Sequence, residues 1–136
     1  MFLLDTNVIS ELRRHDRANP RVLDWARAVD PAELFISAVT VLEIELGVLL
    51  AERRDPRQGA VLRNWFDNYL LSAFGGRVLP IDVRVARQTA YLHVPDPRPE
   101  RDALIAATAI VQQMTLVTRD VIDFARMGVK VLSPWD

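Results

Sequence analysis

Cysteine is missing from the 136-residue chain, which excludes disulfides and thiolate metal sites and suits a reducing compartment. Histidine is scarce: His15 and His93 are the only two, too few for a His-rich metal centre. No apolar run approaches the roughly 18 residues of a membrane span. The first residues carry neither a basic segment nor a small-residue cleavage site, so no secretory signal is expected and a cytoplasmic location is. Lysine is nearly absent too; Lys130 stands alone against 16 arginines. Planar guanidinium groups suit phosphate, although a genome's base composition accounts for an arginine bias equally well. A net charge of −1 argues against a strongly basic nucleic-acid footprint. Four acids neutralised by a divalent ion would, however, leave the rest of the chain net positive.

What is present is globular. Half the residues are hydrophobic and 26% are charged, and the length suits one domain with a real core, expected over residues 1–136. Phe2 to Leu4 reads as a buried strand ended by Asp5, and the polar cluster Asp5-Thr6-Asn7 can start a helix over Val8 to Arg14. Asn19-Pro20 opens another helix, to about Ala28. Leu34-Phe35-Ile36 is a second strand, and Ser37 then caps an apolar helix from Ala38 to about Arg54. In that helix Val39, Leu42, Leu46, Leu49 and Leu50 follow helical spacing while Val41, Ile44 and Val48 occupy other sides, so it needs burial on more than one face.

Asp55-Pro56 breaks the helix. The next, about Gln58 to Ser72, carries a wide stripe of Val61, Leu62, Trp65, Phe66, Tyr69 and Leu70. The two form an antiparallel hairpin with more apolar surface than one side of a small sheet needs, which suggests a subunit interface including Leu62 and Phe66. Val78-Leu79-Pro80 is a short strand, and Asp82 caps a helix from Val83 to about Leu92. Pro95, Pro97 and Pro99 stiffen the loop that follows. Asp102 begins a helix rich in alanine, Thr115-Leu116-Val117 is a third clear strand, Asp123-Phe124 lies in a short helical turn, and Val129 to Leu132 is the last strand. This alternation predicts an α/β sandwich: a central, mostly parallel sheet with helices on both faces, plus the protruding hairpin.

In a parallel sheet, strand C-termini and the starts of the following helices share one edge. Asp5, Glu43, Asp102 and Asp120 all fall at or near it. Each alone has a bland reading. Asp5 and Asp102 can be helix caps, Asp120 a turn residue, and Glu43 the partner of an arginine or a solvent-facing acid. A carboxylate inside a mostly apolar helix is nevertheless costly unless paired or metal-bound, and one shared site explains all four together. Clustered carboxylates repel one another, and a divalent cation resolves the repulsion. All-oxygen ligation favours Mg²⁺ or Mn²⁺, which can activate water against a phosphodiester. Asn7 and Thr118 can orient that water, a ligand carboxylate or a phosphate oxygen.

Four stretches resemble the PIN-domain ribonucleases, specifically the toxins of VapBC-type toxin–antitoxin pairs. They are Leu4-Asp5-Thr6-Asn7-Val8; Ser37 to Glu43 with Leu46-Gly47; Asp102 to Ala109; and Leu116-Val117-Thr118-Arg119-Asp120 with Asp123-Phe124. They span nearly the whole chain in the family's order. The resemblance implies a PIN-like three-layer sandwich and a Mg²⁺- or Mn²⁺-dependent endoribonuclease, in which a metal-activated water attacks phosphorus in line. It carries the catalytic and metal-binding quartet onto Asp5, Glu43, Asp102 and Asp120, with Asn7, Thr118 and Asp123 in support. It further implies an RNA substrate, a small antitoxin protein as partner, and a homodimer within a larger toxin–antitoxin assembly. The Pro-rich run Pro95 to Pro99 departs from the family in being shorter than in many relatives, which leaves the shape of the rim beside Asp102, and hence substrate choice, open. Two other classes compete. A phosphohydrolase with an aspartyl nucleophile would use Asp5, but Asn7 stands where its second acid belongs and no suitable lysine follows. A PIN-like RNA-binding or assembly module would keep the acids for structure alone.

Overall fold

The computed structural model describes all residues, 1–136. Strand β1 (Phe2–Leu4) leads into α1 (Thr6–Arg13) and α2 (Pro20–Ala28); a 3-10 turn then precedes β2 (Leu34–Ser37). Helices α3 (Ala38–Arg54) and α4 (Pro56–Trp65) follow, with a π-helical turn (Phe66–Leu70) and the short α5 (Leu71–Ala73). The chain closes with β3 (Val78–Leu79), α6 (Val83–Leu92), α7 (Glu100–Val111), β4 (Thr115–Val117), α8 (Val121–Ala125) and β5 (Val131–Leu132). The five strands lie in the order β3-β2-β1-β4-β5, and every pairing is parallel. No helix is long and apolar enough to cross a membrane.

Alternation along the central strands sorts the core into two halves, because successive side chains point to opposite faces. Leu4 and Val117 face Val8, Ile9, Ile44, Val48, Phe66, Leu70 and Phe74 on one side. Leu3 and Leu116 face Ile105, Ala106, Ala109, Phe124 and Met127 on the other. Alanine along α7 lets that helix lie close to the sheet. The helix starts follow local chemistry: Asn19, Ser37, Asp55 and Asp82 each accept hydrogen bonds from backbone N–H groups of the helix they precede. On the β2 side of the sheet, the Arg77 guanidinium donates to the carbonyls of Pro31, Leu34 and Ala73, fastening the lead into β3.

Several sequence expectations shift. Helix α1 starts at Thr6 rather than Val8, because Asp5 itself is the cap. Helix α7 starts at Glu100, so Asp102 is the third residue of its first turn rather than the opening residue. The last strand shortens to Val131–Leu132. The helix expected from Gln58 begins at Pro56 and widens into the π turn before Ala73. In a straight α-helix residues four apart drift by about 40° per step; the wider turn offsets part of that drift, and Phe66, Leu70 and Phe74 all reach the core. Phe66 is therefore a core residue, not an interface one.

The leucine stripe of α3 does not meet the sheet. Its core face is Val39, Thr40, Ile44, Val48 and Ala51, whereas Leu42, Leu46, Leu49 and Leu50 are 39–55% exposed. The helix has two apolar faces and the sheet takes only one. The hairpin is rooted in the core through Phe66 and Leu70, while its tip around Asp55 and Pro56 is exposed.

The hairpin closes on Gly59. A Cβ built there would lie well inside contact distance of the Cα of Glu52, a backbone atom that cannot step aside. Arg63, nearby on α4, reaches Glu45 at 2.7 Å and Glu52 at 3.2 Å on α3. Gly59→Ala should therefore force the two helices apart, at a cost of about 1–3 kcal/mol for overpacking. That corresponds to a loss of about 3–10 °C in Tm. Thermal unfolding followed by circular dichroism checks it, and an unchanged Tm would mean that the helices are not in this close approach.

Candidate active site

The C-terminal edge of the sheet is where the expected residues meet. Asp5 follows β1, and its backbone N–H donates to Val117 O at 2.9 Å, continuing the ladder to β4. Its side chain is 6% exposed. Oδ1 accepts from the Thr6 N–H at 2.8 Å and Oδ2 from the Thr118 hydroxyl at 2.8 Å. The cap reading holds for Asp5 and leaves half of the carboxylate for other work: one oxygen opens α1, the other points across to β4. Each oxygen keeps a lone pair beyond these bonds.

Thr118, fully buried, is the junction. While donating to Asp5, its oxygen accepts from the Asp120 N–H at 3.0 Å and from Asn7 Nδ2 at 3.4 Å. Asn7 also donates to Asp120 Oδ2 at 3.4 Å and accepts from the Arg119 N–H at 3.4 Å. Glu43, from the second turn of α3, is held by the Thr6 hydroxyl at 2.7 Å. Thr6 Oγ1 is also 3.0 Å from Thr40 Oγ1. A hydroxyl has one proton; with that of Thr6 given to Glu43, Thr40 donates to Thr6. Thr6 and Thr40 were not singled out from the sequence as supports. The available signal was position: Thr6 follows Asp5, and Thr40 stands three residues before Glu43, hence on the same helix face.

Burial pushes the Asp5 carboxyl up to about 6, against the two hydrogen bonds that favour its charged form; the charges of Asp102 and Glu43 raise it further. Asp102 is half-buried and is also raised, first by burial, then by Glu43, Asp120 and Asp123. Five acids therefore feel one another across this edge, with Asp120 and Asp123 on its exposed side. One guanidinium partly offsets them: Arg101 lies 3.8 Å from Glu43. As the side chains stand, no three acids are close enough to hold a single ion. The donor set still fits a hard divalent cation, being all carboxylate oxygen, mutually repelling and partly buried. A wide cavity lies elsewhere. It measures about 480 Å³, is mostly apolar, and runs between α1 and α4 past Leu12, Trp65 and Phe74.

A carboxyl raised on folding contributes stability when protonated and loses it as pH rises from its unfolded value of 3.8 through about 6. Ionised Asp5 therefore costs the metal-free protein up to about 3 kcal/mol at neutral pH. Asp5→Asn removes that titration. The variant's Tm should exceed the wild type's at pH 7.5 in EDTA, and the gap should shrink or reverse by pH 4.5. Differential scanning calorimetry of both proteins across this range measures it; a gap independent of pH would reject the raised carboxyl.

The chain matches the PIN domain family over residues 2–130. It is 38% identical to toxin FitB of Neisseria gonorrhoeae, over 99% of both chains. It is 36% identical to VapC ribonuclease Y4jK of Sinorhizobium fredii, over all of this chain and 99% of that one. Among solved structures, that of FitAB bound to an IR36 DNA fragment is similar with a TM-score of 0.91 and 37% identity, covering 100% of this chain and 96% of that one. Sequence likeness over nearly the whole length, the same fold and an acid-lined sheet edge lead to one conclusion: the chain belongs to the PIN domain family.

Proposed function

We propose that this protein is a metal-dependent endoribonuclease acting as the toxin of a toxin–antitoxin pair. The observation that carries the reading is the buried Asp5 carboxylate, raised to about 6 and coupled to Glu43 and Asp102 at the sheet edge. Relatives named as a toxin and as a VapC ribonuclease support it. Asp5, Glu43, Asp102 and Asp120 would hold Mg²⁺ or Mn²⁺. Such an ion, when bound, supplies acidified water and Lewis-acid stabilisation of charge on a phosphodiester. The chain's own work is positioning. Thr118 fixes the rotamer of Asp5, Thr6 fixes Glu43, and Asn7 ties Asp120 to the Thr118 hydroxyl. Asp123 adds negative charge beside Asp102. The substrate class is RNA.

Partner-free protein should cut members of a labelled RNA panel in Mg²⁺ or Mn²⁺ and stop in EDTA. Asp5→Ala should cut at least about 100-fold more slowly, the scale of a lost catalytic group. Thr118→Val, which leaves every carboxylate in place, should weaken metal affinity by roughly 10–100-fold, as loss of an orienting partner does. Equal cutting by wild type and Asp5→Ala would identify a contaminant. RNA bound in EDTA and never cut, by folded protein, would favour a non-catalytic binding module instead.

Two protein partners belong to the same reading. A small antitoxin would place apolar side chains in the cavity past Leu12, Trp65 and Phe74. A second copy of the chain would cover the leucine face of α3, where Leu42, Leu46, Leu49 and Leu50 stand exposed. Four such side chains in one stripe are more than a solvated helix face needs. Leu46→Glu with Leu50→Glu changes only exposed positions and should halve the mass seen by light scattering while the far-UV circular dichroism spectrum stays native; an unchanged dimer would move the interface elsewhere.

A further inference from the structure

The structure holds a second, smaller cavity beside the acids. It measures about 170 Å³ and is lined by Arg98, Pro99, Asp102, Asp123, Arg126 and Met127. We propose that this cavity is a phosphate subsite, in which Arg98 and Arg126 take the RNA phosphate next to the scissile one. The proposal rests on the ribonuclease reading and adds to it the residues that fix the substrate's backbone.

Arg98 is unusual among the arginines. Its backbone is pinned: Pro97 and Pro99 flank it, and its N–H donates to His93 Nδ1 at 3.0 Å. His93 is held in turn, with Nε2 3.0 Å from Glu100 Oε2, in ion-pair range though out of hydrogen-bond alignment. The guanidinium is not spent on the protein. Its Nε is buried without a hydrogen-bond partner, a state that costs free energy and calls for an acceptor. Arg63, by contrast, is bridged to Glu45, Glu52 and Asp67, and Arg101 lies against Glu43. Neither Arg98 nor Arg126 has a carboxylate within ion-pair range, although Asp102 and Asp123 share their cavity. Two guanidinium groups with free donors, one of them preorganised, suit a tetrahedral anion. The volume equals that of about five to six waters in the liquid, room for one phosphate with part of its hydration. Its position on the Asp102 wall sets that phosphate beside the candidate catalytic edge.

The test uses the full chain carrying Asp5→Ala, so that RNA stays intact, and a short single-stranded RNA that the wild type cuts. Binding is followed by fluorescence anisotropy from about 50 to 200 mM salt at fixed Mg²⁺. Adding Arg98→Ala should weaken binding about tenfold at low salt and reduce the slope of log K against log salt by about 0.7, one phosphate contact on a single strand. A methylphosphonate scan supplies the second arm. Neutralising the phosphate next to the cut should weaken binding to the Asp5→Ala parent, do so less in the Arg98→Ala variant, and have no effect once Arg98→Ala and Arg126→Ala are combined. Arg126→Ala, at an exposed position, should show the same slope loss and decides the matter where Arg98→Ala folds poorly. An unchanged salt slope, or a methylphosphonate penalty that persists in full when both arginines are replaced, overturns the subsite. Wild-type protein that neither binds nor cuts any RNA overturns the underlying ribonuclease reading instead.

Discussion

One hydrogen bond joins the two halves of the functional edge: the Thr118 hydroxyl to the Asp5 carboxylate, at 2.8 Å between two buried groups. An acid this deep costs free energy in its charged form. The fold tolerates it because β1 is the central strand. From β1 the chain steps outward one way to β2 and β3, then the other way to β4 and β5. Open α/β sheets form their crevice where the strand order reverses, outside the strand C-termini. Asp5 and Thr118 stand on the two sides of that reversal. The Asp5 N–H continues the ladder into β4 while its side chain bonds across the same gap. Backbone pairing and side-chain chemistry therefore depend on each other here: a slip in register would break the ladder and the site at once.

Where the chemistry was local, it was legible in the sequence. Ser37 and Asp82 read as caps and are caps, since a cap is set by a side chain and the few N–H groups next to it. The short apolar runs read as buried strands because both faces of a parallel sheet are covered. The four acids could be assigned to one edge by topology alone. Which side of α3 meets the sheet was not legible. Leu42, Leu46, Leu49 and Leu50 make a better-spaced stripe than Ile44, Val48 and Ala51, yet the second set is the buried one. Periodicity reports how many apolar faces a helix has, and tertiary packing selects among them. The π turn after Trp65 was hidden for a similar reason, since its cause is the fit of Phe66, Leu70 and Phe74 against the sheet. The hydroxyl relay from Thr40 through Thr6 to Glu43 links positions 34 and 37 residues apart, and no local pattern reports such a pairing.

The hairpin carries two duties that pull against each other. Its inner face must lie flat on the sheet to bring Glu43 to the edge, and its outer face is left apolar. Gly59 allows the backbones of α3 and α4 to approach, and Arg63 draws Glu45, Glu52 and Asp67 to that same junction. The bonds to Glu45 and Glu52 hold Arg63 in its charged form more firmly than usual. Burial of Val39, Ile44, Val48 and Ala51 sets the rotation of α3 about its axis, and the polar clamp agrees with it. That rotation sends Glu43 inward toward Thr6 and turns Leu42 and Leu46 outward. The exposed leucine face and the inward carboxylate are consequences of one helix orientation.

Net charge says little about how such a protein would meet a polyanion. The chain as a whole is −1, and its most strongly coupled acids are gathered at the very edge proposed for RNA. An acidic edge repels phosphate unless its charge is neutralised locally, and long-range attraction cannot do this for a chain without excess positive charge. The arrangement instead separates the tasks in space. The carboxylates sit where an all-oxygen cation site is chemically suited, and the arginines stand around them in different states of commitment. Arg63 is bound up in the hairpin and Arg101 lies against Glu43, while Arg98 and Arg126 keep their donors free. An acid cluster that gained a divalent ion would turn from a barrier into an anchor, and the uncommitted guanidinium groups would then be free for a phosphate. On this reasoning recognition depends on where charges are left unpaired, which a sum over the sequence cannot report.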